Sequence, residues 1–170
     1  IPPNSVIVAD DFNRDGKLDL AVASGLSLRI LTGSSGGGFT VIRELPLPGN
    51  VVKMASGDFN GDGRPDLVFC FTLSGGNTTV IYVLGDGFTT FNGAGNTLSA
   101  SDVATGDINA DGLMDFVVLG PSFIYQFTGS FNGGLTLVSQ TPLSAAGGVP
   151  ISVTLADLNF DERLGMVVGS

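Results

Sequence analysis

Four short stretches of this chain set oxygen-bearing side chains at one repeated spacing. In Asp58-Phe59-Asn60-Gly61-Asp62-Gly63-Arg64-Pro65-Asp66, positions 1, 3, 5 and 9 are acidic or amide residues and position 6 is glycine. That pattern suits a hard cation. Ca²⁺ takes about six to eight oxygen ligands, and a glycine lets the backbone turn sharply around it. The first such loop offers Asp11, Asn13, Asp15, the Lys17 carbonyl and Asp19. The second offers Asp58, Asn60, Asp62, the Arg64 carbonyl and Asp66. The third offers Asp107, Asn109, Asp111, the Leu113 carbonyl and Asp115. Position 7 supplies a backbone oxygen, so its side chain is free to vary, and position 9 is expected to supply two carboxylate oxygens.

The fourth stretch departs from the pattern. Asp157, Asn159, Asp161 and the Arg163 carbonyl keep their places, but Glu162 replaces the turn glycine and Gly165 replaces the last carboxylate. This site is expected to be weak or empty. An EF-hand is excluded, because it needs flanking helices and a glutamate at position 12. Position 12 here is Val22, Phe69 or Val118. The competing reading of the full loops is a set of solvated Asx-turns without metal, which does not require carboxylates at positions 1, 5 and 9 together.

Other chemistry finds little support. There is no histidine, so Ser-His-Asp and Cys-His arrangements are absent. The carboxylates that could form an acid–base pair are the same ones that would ligate metal. Gly33-Ser34-Ser35-Gly36-Gly37-Gly38 lacks the Lys-Ser/Thr and the helix of a phosphate-binding loop. The chain is therefore read as a non-enzyme.

The net charge of −9 argues against nucleic acid, which needs a basic face. Eleven of the 16 acidic residues are aspartates of the four loops, so the acidity reads mostly as ligand charge. The apolar fraction of 43% fits a folded core despite 26 glycines. A single cysteine, Cys70, excludes an intrachain disulfide, and its apolar run predicts a buried thiol. No run of 18 apolar residues suggests a membrane span. Asn77-Thr78-Thr79 is a formal glycosylation sequon.

The elements that must position the loops repeat with them. The loops begin at Asp11, Asp58, Asp107 and Asp157, in steps of 47, 49 and 50 residues. That period suits a four-stranded propeller blade. A β-prone run precedes each loop: Ser5–Ala9, Val51–Ala55, Ser101–Thr105 and Ile151–Leu155. Apolar runs follow at Leu18–Ala23, Leu67–Phe71, Met114–Leu119 and Leu164–Val168. Third strands are expected at Leu26–Leu31, Thr79–Leu84 and Phe123–Phe127. Glycine-rich turns at 36–40, 85–89 and 132–136 lead to a more polar fourth strand. Pro46, Pro48, Pro142 and Pro150 are expected in the linkers between units.

A D-x-N-x-D-G-x-x-D loop between two strands, repeated about every fifty residues with a later Gly-x-Gly-Phe-type turn, resembles the FG-GAP/VCBS repeat. This is the blade type of integrin α-subunit propellers and of many bacterial secreted proteins. The resemblance implies a calcium-loaded β-propeller, commonly seven-bladed, in extracellular adhesion, ligand binding or scaffolding. The expected fold is all-β, with about three and a half four-stranded antiparallel blades. Residues 1–45, 46–95 and 96–145 form three blades, and 146–170 the first two strands of a fourth.

Such an arc does not close a seven-bladed ring. It is expected to be part of a longer propeller, to pair with a second copy, or to stack into an array. Partners are thus the remaining blades or further copies, with a glycan or protein ligand on one face. No nucleic acid and no membrane insertion is expected. The compartment is extracellular, where Ca²⁺ is plentiful. Alternatives are a self-assembling structural repeat and a fragment of a propeller-type polysaccharide lyase. Phe91, Tyr125 and Phe131 are candidate ligand-facing aromatics, with core or turn packing as the commoner role of such residues.

Overall fold

The computed structural model describes residues 2–72, 79–85, 90–97, 100–143 and 148–170, with backbone alone for 79–85 and 90–97. The Asn77 sequon, the 86–89 turn and the Phe91 side chain lie outside the described residues. The described residues form strands and turns, with no helix.

The first sheet holds β1 (Val6–Asp10), β2 (Asp19–Ser24), β3 (Ser27–Gly33) and β4 (Phe39–Pro46). The second holds β5 (Asn50–Gly57), β6 (Asp66–Thr72), β7 (Thr79–Gly85) and β8 (Thr90–Thr97). The third holds β9 (Asp102–Gly106), β10 (Asp115–Leu119), β11 (Phe123–Thr128) and β12 (Thr136–Pro142). β13 (Ser152–Ala156) and β14 (Gly165–Gly169) pair as a two-stranded sheet. Every pairing is antiparallel between sequence neighbours. The fold is all-β and built from propeller-like blades.

The sheets stack face to face, and strand periodicity does the sorting. In β6, Leu67, Phe69 and Phe71 join Ala21, Ala23, Leu28 and Ile30 of the first sheet in one core cluster. The intervening Val68 and Cys70 join Val103, Phe116 and Val118 of the third sheet in the next. In β10, Phe116 and Val118 face back while Val117 and Leu119 pack with Val153 of the fourth sheet. Successive side chains of a strand point to opposite faces, so a strand covered on both sides must read as a continuous apolar run. That is why β6 and β10 are almost wholly buried. Each fully buried Leu, Val or Phe contributes about 1.5–3 kcal/mol by leaving water. The outer strands β4 and β12 are exposed along nearly their whole length.

The prolines are one correction. Pro46 and Pro142 are the last residues of β4 and β12, paired in register with Ser27 and Phe123, and do not lie in the linkers. Proline is tolerated there because these strands form a sheet edge in the described pairing, where a missing N–H interrupts no ladder.

The first strands of the blades, β1, β5, β9 and β13, lie side by side. Each loop therefore leaves the inner strand of its blade and enters the second strand, which is largely buried in the first three blades and not in the fourth. No helix among the described residues is long and apolar enough to cross a membrane.

Candidate metal centre

All four loops follow one backbone path. Position 4 is left-handed in each: Arg14 (φ 61°), Gly61 (φ 76°), Ala110 (φ 60°) and Phe160 (φ 61°). Position 6 is left-handed too: Gly16 (φ 82°), Gly63 (φ 78°), Gly112 (φ 88°) and Glu162 (φ 66°). Glycine at position 6 relieves the Cβ clash that an L-residue meets there.

Short side chains hold this path. The first carboxylate wraps the turn. Asp11 accepts the Asp15 and Gly16 N–H groups at 3.0 and 2.8 Å. Asp58 accepts Gly61 and Gly63 at 2.7 and 2.8 Å. Asp107 accepts Asp111 and Gly112 at 3.1 and 2.9 Å. Asn13, Asn60 and Asn109 each accept the N–H of position 5 through Oδ1. Asp15, Asp62 and Asp111 accept that of position 7, carried by Lys17, Arg64 and Leu113. The Lys17 side chain is also engaged: its ammonium lies 3.0 Å from Asp15 and holds that carboxyl below its ordinary pKa.

Position 9 behaves differently. Asp19, Asp66 and Asp115 open the second strands and are buried. Asp19 accepts Asn13 N–H at 3.2 Å with one oxygen and Gly33 N–H at 2.9 Å with the other. Asp115 accepts Ile108 at 3.0 Å and, through its other oxygen, Gly129 at 3.1 Å. Asp66 accepts Phe59 at 3.2 Å. Each of these carboxylates ties the start of its own loop; Asp19 also reaches Gly33, the last residue of β3, and Asp115 reaches Gly129, the residue just after β11. Burial pushes the Asp115 pKa upward, against the pull of its three N–H donors.

Asp157 and Asp161 keep their loop bonds, with Glu162 N–H to Asp157 at 2.9 Å and Arg163 N–H to Asp161 at 2.9 Å, and the Asn159 side-chain amide donates to Asp161 at 3.0 Å. What this loop lacks is the buried anchor, because Gly165 has no carboxylate.

The donor chemistry fits a hard cation. Each full loop carries three carboxylates, an amide oxygen and a position-7 carbonyl. Among the described residues, no three acidic side chains gather closely enough to hold an ion in the present arrangement. An ion would have to draw them together over a turn that is already formed.

A family model for the FG-GAP-like repeat matches residues 11–69, 58–118 and 107–168, and each match opens on position 1 of a loop. The chain belongs to the FG-GAP-like repeat family. No curated protein matches it in sequence. With four stacked antiparallel sheets, this FG-GAP chain is a β-propeller-type module.

The structure also shows FG-GAP residues that the sequence reading passed over. Position 2 of each loop is apolar. Phe12 and Phe59 are buried in the interface with the following sheet, Phe59 edge-on to Phe116 with centroids 5.5 Å apart. That repeated apolar position was a usable signal. Lys53 and Asp102 each lie five residues before a loop, on neighbouring inner strands, and form an ion pair at 3.3 Å. Aligning the loops would have placed them side by side. Position 4 gave no signal, since Arg, Gly, Ala and Phe share no chemistry. Of the candidate aromatics, Tyr125 packs against the second core cluster, whereas Phe131 is 76% exposed.

Proposed function

We propose that this chain is an extracellular calcium-binding propeller module that acts in adhesion or in binding a glycan or protein ligand. Structural Ca²⁺ sits in the loops beginning at Asp11, Asp58 and Asp107. The observation that carries this reading is the common loop: an all-oxygen donor set on one left-handed turn, three times over, between an inner strand and a buried second strand. The loop at Asp157 keeps the turn without the position-9 carboxylate and binds weakly or not at all.

The ion's role is structural. It neutralises carboxylates crowded at a strand junction, so part of its binding energy becomes folding energy. The blades belong to a seven-bladed ring completed by further blades or by a second copy. Exposed Leu158, Phe160 and Val167 around β13–β14 favour such a partner, and they also support a second reading, a repeat whose main contacts are with its own kind. No catalytic role is assigned.

Calorimetric titration with Ca²⁺ should give three sites per chain, and excess EGTA should lower the melting temperature reversibly. An unchanged melting curve with no binding heat would end the calcium reading. A glycan array read with and without Ca²⁺ separates a ligand-binding module from a purely structural repeat.

A further inference from the structure

The turn between β11 and β12, in the third blade, rests on the second loop. Ser130 donates its N–H to the Phe59 carbonyl at 3.0 Å, and Gly133 N–H closes the turn on the Ser130 carbonyl at 2.8 Å. Gly134 N–H adds a bond to Asn132 Oδ1 at 3.2 Å. Between these anchors stands Phe131. Its ring fills the space that a Cβ on Gly61 would need, since two ring carbons would lie 2.6 Å from that Cβ. Leu113 Cδ2, from the same blade and buried, would lie 2.9 Å away. Gly61 is position 4 of the second loop.

This placement explains a residue choice that the backbone path does not. Position 4 is left-handed in all four loops, yet Arg14, Ala110 and Phe160 carry side chains there at φ 61°, 60° and 61°. The conformation therefore tolerates a Cβ. At Gly61 the room for one is already taken by Phe131 and Leu113, so the neighbouring blade, more than φ, calls for glycine.

The choice has a consequence for binding. The second loop is the one of the four with glycine at both positions 4 and 6, Gly61 and Gly63. Glycine has the widest backbone freedom, so this segment has the most to lose when its oxygens close on an ion. Inside the loop, the Gly61 and Gly63 N–H groups are held by Asp58 at 2.7 and 2.8 Å, a carboxylate that the ion would also claim. Phe131 offers restraint of another kind. Its ring comes from outside the loop, is fixed by backbone bonds on either side of it, and has no oxygen to compete for a cation.

We propose that Phe131 is a positioning residue for the second cation site: from the next blade it holds Gly61 in the turn and so strengthens Ca²⁺ binding there. This rests on the calcium reading above. The ring is 76% exposed, so its removal should act on the loop and leave the core of the blades intact.

The test uses the whole chain and Ca²⁺ alone. The sequence has no tryptophan, so Phe131→Trp puts a single indole against the second loop. Its emission should change on Ca²⁺ addition, and Asp58→Asn with Asp62→Asn in the same background should abolish the change. Phe131→Ala should keep the number of sites. It should raise the Ca²⁺ midpoint read from the Gly63 amide, which is bonded to Asp58, by about 2- to 5-fold, the scale of freedom returned to one glycine. Phe131→Tyr keeps the ring and should restore the midpoint of the unaltered chain. The indole experiment stands whether or not Phe131→Ala folds. An unchanged Gly63 midpoint in Phe131→Ala would overturn the role of Phe131 while leaving the calcium reading intact. So would an indole silent to Ca²⁺, or an indole signal that survives loss of the second loop's carboxylates. No Gly63 shift and no binding heat with the unaltered chain would remove both.

Discussion

Lys53 Nζ stands 3.3 Å from Asp102 Oδ1, and the other oxygen of Asp102 accepts the Val153 N–H at 3.0 Å. One nearly buried carboxylate therefore joins the inner strands of three successive blades. The two bonds differ in environment. Lys53 is about half exposed and Asp102 is not, and Val153 is buried.

Asp102→Ala should therefore cost more than Lys53→Ala. Losing the carboxylate leaves the Val153 N–H unpaired in the interior, a penalty of about 1–3 kcal/mol. Losing the exposed ammonium forfeits a screened ion pair of about 0.2–1 kcal/mol. Urea unfolding of the two single variants and the double variant measures both and their coupling. Equal costs would mean that the Val153 bond is not the larger contribution.

Two glycines distinguish strain from space. Gly16 has φ 82° with nothing within 4 Å of an added Cβ, so Gly16→Ala should cost only the left-handed penalty, about 1–2 kcal/mol. Gly129 is not left-handed, but its Cβ would overlap the Phe59 carbonyl and lie 2.8 Å from the Met114 carbonyl. Backbone on both sides leaves no flexible atom to yield, so Gly129→Ala should cost about 3 kcal/mol or more. Thermal melts at fixed Ca²⁺ give the order. The opposite order would contradict the close approach at Gly129.

Glu162 carries the left-handed turn without being glycine. Glu162→Gly should stabilise the fourth loop by about 1 kcal/mol, less some loss from greater unfolded-state freedom. It should not create a strong cation site, because position 9 is still Gly165. Melting temperature and Ca²⁺ stoichiometry, read together, check both halves.

Cys70 is fully buried, and burial raises its thiol pKa from 9.0 to about 12. The sign follows from which state loses its proton first. Between about pH 9 and pH 12 the unfolded chain ionises while the folded one does not, so this thiol's contribution is complete below pH 9 and is lost as the pH rises toward 12. The stability of the chain should fall more steeply over this window than that of Cys70→Ala. A disulfide reagent should react with native protein only as fast as the protein opens. Fast labelling of folded protein at pH 8 would contradict the burial.

Much of this was legible in sequence because it is local. The loop chemistry lies within nine residues, and the alternation of Leu67, Phe69 and Phe71 with Val68 and Cys70 announces a strand covered on both faces. The period of the loops gives the blade. The run from Asp66 to Thr72 was found nearly to its ends, since strand content and burial agree there. Pro46 was misplaced because proline reads as a break, while an edge strand can end on one.

The sequence by itself determined the all-β class, the number and spacing of the loops, and the donor atoms each one offers, because these depend on residues close together in the chain. Only the tertiary structure decided what the loops rest on. Asp58 meets Met114, Phe59 meets Ser130 and Lys53 meets Asp102 across successive blades, and those meetings depend on how one sheet seats on the next. The position-9 aspartates show both levels at once. Their spacing marks them as candidate cation ligands, and their burial at the strand junction makes Asp19 and Asp115 the bolts between the loop and the end of the third strand.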